Sequence, residues 1–236
     1  MCGSCANEGA LKAAFMAYRA RERGLEKVEG FTPEEMQSCM KNQAPGAPVL
    51  SAMSFTTAFH GRLFGSLSLT RSKAIHKLDI PAFDWPAVQF PQLRYPLSEF
   101  VAENAEAEAR ALAEVEATIK EWKNKAPVAA LIVEPVQAEG GDNHASAAFF
   151  KGLRTITKEH GVMMIVDEVQ TGVGATGKFW AHEHWDLNTP PDFVTFSKKM
   201  QAAGFYHAAE TRASAPYRKS VAWPRACVFW QLSWCG

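Results

Sequence analysis

Two apolar segments of the sequence each lead to a side chain that can take part in chemistry. The run VMMIVDEV at 162–169 carries Asp167, and the run FVTFSK at 193–198 ends at Lys198. Short apolar runs are typical of buried strands, and open α/β sheets place their chemistry at the carboxyl ends of strands. A lysine amine can form an imine with an aldehyde, and a carboxylate can keep a pyridine nitrogen protonated. Together the two side chains indicate pyridoxal phosphate chemistry.

Each member of this pair also has an ordinary structural explanation. Asp167 alone could cap a helix or lie at the surface, and most lysines are solvated surface residues. The combination of both, at the ends of successive predicted strands, favours the cofactor hypothesis. Lys199 follows directly. Because successive side chains alternate, only one of the two lysines can face the site, and the spacing does not say which.

Further residue groups could complete such a site. The segment CGSC at 2–5 places Gly3 and Ser4 in a turn that opens a helix, where backbone N–H groups suit a phosphate. In AFHGR at 58–62, Phe59 could stack on a flat ring and Arg62 could bind a carboxylate. Plain helix entry and an aromatic core residue before a turn are the alternative explanations.

Acidic residues also lie near the end of the apolar run at 128–136 and beyond it. Glu134 and Glu139 lie at the end of that run and in the glycine-containing loop after it. Two acids near a reactive lysine could tune its chemistry, although either could be an ordinary loop charge.

The elements that must position these residues alternate along the chain. Strands are predicted at 49–55, 66–70, 128–136, 162–169 and 193–198. Helices are predicted at 10–23, after a turn at 7–9, and at 100–125 and 147–161. The four prolines of 80–96 predict an extended surface loop. Strands that alternate with helices predict an α/β fold with a largely parallel sheet.

Composition excludes several classes of function. The 236 residues contain 25 Lys and Arg against 25 Asp and Glu, so no basic field invites nucleic acid. No apolar run reaches the roughly 18 residues of a membrane-spanning helix. The N-terminal residues show neither a signal-peptide core nor an Arg-rich transit pattern, so we expect no targeting segment in this chain. Five scattered cysteines argue against a secreted disulfide framework.

These segments together resemble a known family. CGSCANE at 2–8, AFHGR at 58–62, VEPVQAEGGDNHAS at 133–146, DEVQTGVGATGKFWAHEHW at 167–185 and FSKKM at 196–200 are similar, in this order, to segments of the 4-aminobutyrate aminotransferases. That family belongs to the class III, fold-type I pyridoxal phosphate aminotransferases. The resemblance implies the large domain of that fold, with a mostly parallel sheet flanked by helices and incomplete at both ends. It implies a partial cofactor-binding domain at 1–218 and an aberrant or unstructured tail at 219–236.

The resemblance also implies roles for individual residues. Lys198 would be the Schiff-base lysine and Asp167 would pair with the pyridine nitrogen. Arg62 would bind the substrate carboxylate, and Glu139 would pair with a second arginine. The cofactor-binding residues would be Gly3, Ser4, Phe59, His60, Asp167, Val169, Gln170 and Lys198.

The implied reaction transfers the amino group of 4-aminobutyrate to 2-oxoglutarate and yields succinate semialdehyde and glutamate. A homodimer is expected for the complete enzyme, in the mitochondrial matrix or the cytoplasm. Cys2 and Cys5 form a C-x-x-C pair that would supply two thiolates to a [2Fe–2S] cluster shared between two subunits. A catalytically dead truncated fragment and another ω-amino-acid aminotransferase of the ornithine type are the alternatives.

Overall fold

The computed structural model describes residues 2–24, 31–212 and 232–233, and their centre is a β-sheet. The strands within these ranges are β1 Ser51–Phe55, β2 Ala87–Val88, β3 Val128–Val133, β4 Met163–Asp167, β5 Phe193–Phe196, β6 Gly204–His207 and β7 Leu232–Ser233. The α-helices are α1 Gly3–Glu22, α2 Pro33–Cys39, α3 Phe64–Leu69, α4 Val101–Trp122 and α5 Ala147–Glu159. Single 3-10 turns follow several strands, among them Lys198–Met200 after β5.

The strand order is β2-β1-β3-β4-β5-β6-β7, and the pairings from β2 to β5 are all parallel. Only β6 runs antiparallel to its neighbour β5, while β7 pairs parallel with β6. The central strands β3 and β4 are buried along their whole length, as parallel strands covered on both faces are. The predicted α/β fold with a mostly parallel sheet flanked by helices is therefore confirmed.

Side-chain alternation divides the core into two layers. Leu131 and Val133 of β3 pack with α4 and α5 on one face of the sheet, whereas Ala130 and Ile132 pack with α1 on the other. Helix α1 approaches the sheet through a row of wholly buried small residues, which are Ala6, Ala10 and Ala14. Their spacing of four residues places them on one face of the helix.

Two local predictions are wrong, one for the start of α1 and one for the segment at 66–70. Helix α1 begins at Gly3 and not at residue 10, so Gly3, Ser4 and the residues at 7–9 all lie in the helix and not in turns. The segment predicted as a strand at 66–70 instead contributes to helix α3. The backbone N–H of Ser66 donates to the Glu8 carboxylate of α1 at 2.8 Å, and the Ser66 hydroxyl accepts from the N–H of Leu63 at 3.1 Å. Tertiary contacts and capping thus override the strand propensity of this short run.

The proline-rich segment at 80–96 is mostly irregular, as predicted, but it also contributes β2 at the sheet edge. Val88 and Phe90 there are buried. The predicted tail at 219–236 lies outside the described residues except for β7, and the division into 1–218 and 219–236 stays a prediction. Within the described part of the chain, no helix combines the length and apolar character needed to cross a membrane.

Candidate active site

The carboxyl ends of four parallel strands bring the predicted site residues to one edge of the sheet. Asp167 ends β4, Glu134 follows β3, Lys198 follows β5, and the segment 58–62 follows β1. The start of α1 lies at the same edge, because its Asn7 side chain reaches Asp167. Parallel pairing therefore explains why residues so distant in sequence meet here.

Asp167 is buried at this edge, with 5% exposure. Its Oδ2 accepts hydrogen bonds from Asn7 Nδ2 at 2.8 Å and from His60 Nδ1 at 2.9 Å. Its Oδ1 accepts from the backbone N–H of Val169 at 3.1 Å and from the Thr195 hydroxyl at 3.4 Å. An ionised carboxylate only accepts hydrogen bonds, and it matches these surrounding donors.

Lys198 lies beside Gln170 at the solvent-facing side of the site. Its amine donates to Gln170 Oε1 at 2.7 Å, and both side chains are exposed. The backbone of Lys198 has a φ of 21°, which is unusual for a residue with a Cβ. Such backbone geometry is found preferentially at functional sites.

The start of α1 forms a tight backbone cradle. Ser4 Oγ accepts from the backbone N–H of Arg62 at 3.1 Å. A Cβ added to Gly61, whose φ is 119°, would lie 2.1 Å from Ser4 Oγ, and one added to Gly3 would lie 2.5 Å from Val169 Cγ1. Only glycine fits at either position without a shift of its neighbours. The first N–H groups of a helix and its positive end suit an anion such as phosphate.

Glu134 is a second buried carboxyl, 8% exposed, and its Oε1 accepts from the backbone N–H of Phe59 at 2.9 Å. Burial raises the pKa of Glu134 to about 7, and the negative charge of Asp167 adds to this rise. His60, the Phe59 N–H and Lys198 act in the opposite direction and lower it. Burial therefore keeps part of the Glu134 population protonated at neutral pH.

The predicted substrate-binding residues lie further out. The side chain of Arg62 is exposed to solvent. Glu139, which the resemblance pairs with an arginine, instead forms an exposed ion pair with Lys73 at 2.6 Å. The hydrogen bond from Lys73 is the main cause that lowers the pKa of Glu139. Phe59 is half-buried and packs edge-on against the His76 ring, with 5.3 Å between ring centroids.

Cys2 and Cys5 lie close together at the start of α1, with 3.7 Å between their Sγ atoms. Hydrogen bonding from the Cys5 backbone lowers the pKa of the Cys2 thiol. Among the described residues, no group of three or more His, Cys, Asp or Glu side chains could hold a metal ion. The described part of one chain thus offers a thiol pair and not a complete ligand set.

Comparison with known proteins agrees with this geometry. The profile of the family described as Aminotransferase class-III matches residues 1–222. The chain belongs to this family. It is 72% identical over 227 residues to 4-aminobutyrate aminotransferase of Mycosarcoma maydis, covering 94% of this chain and 44% of that relative. It is 59% identical over 223 residues to human mitochondrial 4-aminobutyrate aminotransferase, again covering 94% of this chain and 44% of the relative.

A solved aminotransferase structure supports the fold as well. Lysine aminotransferase from M. tuberculosis superposes with a TM-score of 0.69 and 34% identity, over 86% of this chain and 41% of that protein. This class III aminotransferase chain thus spans less than half the length of the relatives it matches.

Sequence reasoning missed three contributors to this aminotransferase site, which are Asn7, Gly61 and Glu168. The Glu168 side chain is fully buried and accepts from the Thr171 hydroxyl at 2.6 Å and from the Ala181 N–H at 3.0 Å. It also accepts from the backbone N–H and the Nδ1 of His182 at 2.8 and 2.9 Å. These bonds fix the turn after β4. An acid directly after Asp167 in a buried run was the available signal, because a buried charge needs partners.

Proposed function

We propose that this chain is the cofactor-binding part of a 4-aminobutyrate aminotransferase that uses pyridoxal 5'-phosphate. The reaction would transfer the amino group of 4-aminobutyrate to 2-oxoglutarate. The observation that carries the proposal is the convergence of Asp167, the Lys198–Gln170 pair and the α1 cradle at one sheet edge. The relatives that share 59–72% identity and carry this enzyme's name support it.

The residues present fit pyridoxal phosphate. The tight glycine cradle at Gly3 and Gly61 leaves backbone N–H groups of α1 and the Ser4 hydroxyl for the phosphate. Asp167 would face the pyridine nitrogen, and Lys198 would bond covalently to the aldehyde carbon. When bound, the cofactor supplies an electron sink for the carbon that loses its proton.

The other residues of the chain would orient this chemistry. Val169 and Phe59 would pack against the two faces of the ring with His60 beside it, and Gln170 would lie near the phenolic oxygen. Arg62 would bind the carboxylate of the amino acid through its planar fork. Lys198, once free, would move the proton at the amine-bearing carbon as a general base and acid. Glu139 would pair with a second arginine that separates the two half-reactions.

The expected assembly is a homodimer, as the resemblance to the 4-aminobutyrate aminotransferases implies. The Cys2–Cys5 pair would join the same pair of the partner subunit around a [2Fe–2S] cluster, which needs four thiolates. Mitochondrial names among the relatives favour the mitochondrial matrix as the location. Iron and sulfide analysis of protein purified without oxygen tests the cluster, and Cys5→Ser should abolish any iron found.

Covalent trapping tests the cofactor site directly. The chain is mixed with pyridoxal phosphate, reduced with borohydride, digested and analysed by mass spectrometry. We expect the adduct on the peptide that contains Lys198, its loss in Lys198→Ala, and its retention in Lys199→Ala. An adduct that follows Lys199, or none at all, would contradict the proposal and leave the dead-fragment alternative.

Substrate choice is tested in a chimaera in which this chain replaces the matching segment of the Mycosarcoma maydis relative. We expect turnover of 4-aminobutyrate to exceed turnover of β-alanine and ornithine. A preference for ornithine would instead favour the ornithine-type alternative. Arg62→Lys is the matched variant, because it keeps the charge and removes the bidentate fork.

A further inference from the structure

We infer that Asn7 is a positioning residue that fixes the distance between the phosphate cradle at the start of α1 and the carboxylate of Asp167. The inference rests on the proposed function, since it assigns the two ends of one cofactor to those two places. No contact with the cofactor is assigned to Asn7. It acts through the helix that carries it and the carboxylate that it binds.

The geometry of Asn7 joins three separate segments. Its side chain is buried, at 1% exposure, and its Nδ2 donates to Asp167 Oδ2 at 2.8 Å and to the backbone carbonyl of His60 at 2.7 Å. An amide nitrogen carries two hydrogens, so both are used. One side chain therefore connects α1, the end of β4 and the segment after β1.

The position of Asn7 on α1 explains how this link can hold the start of the helix in place. Asn7 lies four residues after Gly3, on the same face of the helix and one turn from its start. The cradle is tied to the same segment a second time, because Ser4 Oγ accepts from the Arg62 N–H. Hydrogen bonds, in addition to apolar packing, thus set where the helix start lies relative to Asp167. Ligand-binding groups must be held to within about 0.5 Å for productive geometry.

A purely structural role can be distinguished from this one within the same chain. Asn104 is also a nearly buried helical asparagine that joins its helix to another segment, through Nδ2 to the Arg94 carbonyl at 3.0 Å and Oδ1 from the Arg94 N–H at 2.7 Å. Asn104 satisfies both ends of its amide. At Asn7 the oxygen is buried, and among the described residues no donor reaches it. A buried acceptor without a partner costs free energy and calls for an explanation, and a role in a functional site is one such explanation.

The test compares two probes that differ only in the phosphate. Binding of pyridoxal phosphate and of pyridoxal is titrated by absorbance for the unmodified chain, Asn7→Leu, Asn7→Ser and Asn104→Leu. We expect Asn7→Leu and Asn7→Ser to lose about tenfold or more in affinity for pyridoxal phosphate, with less than about twofold loss for pyridoxal. Asn104→Leu should leave the ratio of the two affinities unchanged, even if it lowers the urea midpoint as much.

Two results would overturn the inference while the proposed function stands. In one, the Asn7 variants keep the unmodified ratio of affinities; in the other, they lose affinity for both probes by the same factor. Asn7→Ser keeps the test valid if the leucine variant does not fold, because serine is small and polar. Failure of the unmodified chain to bind pyridoxal phosphate would overturn the proposed function and the inference together.

Discussion

Replacing Glu134 with glutamine should stabilise the cofactor-free chain, and the gain should depend on pH. Glutamine keeps an oxygen that can accept from the Phe59 N–H, and it removes a buried charge. Burial raises the pKa of Glu134 from its ordinary 4.5 to about 7 in the folded chain. At about 1.36 kcal/mol for each unit of difference in pKa, this corresponds to about 3 kcal/mol of destabilisation when the group is ionised.

The direction of the pH dependence of stability follows from the protonation of Glu134 in the folded and in the unfolded chain. Below pH 4.5 the carboxyl is protonated in both the folded and the unfolded chain, so its ionisation costs no stability. Between pH 4.5 and about 7 the unfolded chain ionises while the folded chain does not, and stability falls as pH rises. Above about pH 7 the full cost is present. The stability advantage of Glu134→Gln should therefore be small at pH 4.5 and about 3 kcal/mol at pH 8.

Urea unfolding followed by circular dichroism at pH 4.5, 6 and 8 measures this difference. Glu106→Gln is the control, because Glu106 is an exposed helical residue whose ion pair with Arg110 is solvated, and its replacement should change stability by less than about 0.5 kcal/mol at every pH. An advantage of Glu134→Gln that is the same at pH 4.5 and 8 would refute the reasoning, since it could not come from ionisation.

The remaining predictions concern backbone space and a buried ion pair. Gly61→Ala should weaken pyridoxal phosphate binding at least tenfold, because the new Cβ would clash with Ser4 Oγ. Gly177 is the control, because it also has a positive φ, of 89°, but open space around it. Gly177→Ala should leave binding unchanged in the same titration. Equal losses in both variants would show that backbone strain alone is responsible. Asp192→Asn should lower the free energy of unfolding by about 3–5 kcal/mol in urea titrations, because it leaves the buried Arg154 guanidinium, now 2.5 Å from Asp192, without its charge partner. A loss below about 1 kcal/mol would contradict that explanation.

The sequence predicted the parallel strands well, because β3, β4 and β5 are apolar runs whose ends carry polar residues. It also placed Asp167 and Lys198 correctly at strand ends. It failed where tertiary contacts decide the local structure, as in α3, where the Glu8 carboxylate caps a run that alternates like a strand. It missed Asn7 because the residues at 7–9 resemble a turn, whereas the chain there is helical and Asn7 lies on a buried face of the helix. Contacts between distant segments supply that information, and periodicity does not contain it.

The alanine row of α1 has a consequence for how this protein can vary. Ala6, Ala10 and Ala14 have no exposed surface, so the helix axis lies as near to the sheet as methyl groups permit. A bulkier residue at any of them would move the whole helix away from the sheet as one unit, and the start of the helix, which we propose binds the phosphate, would move with it. Substitutions in the hydrophobic core, far from any atom that contacts the ligand, would then weaken ligand binding.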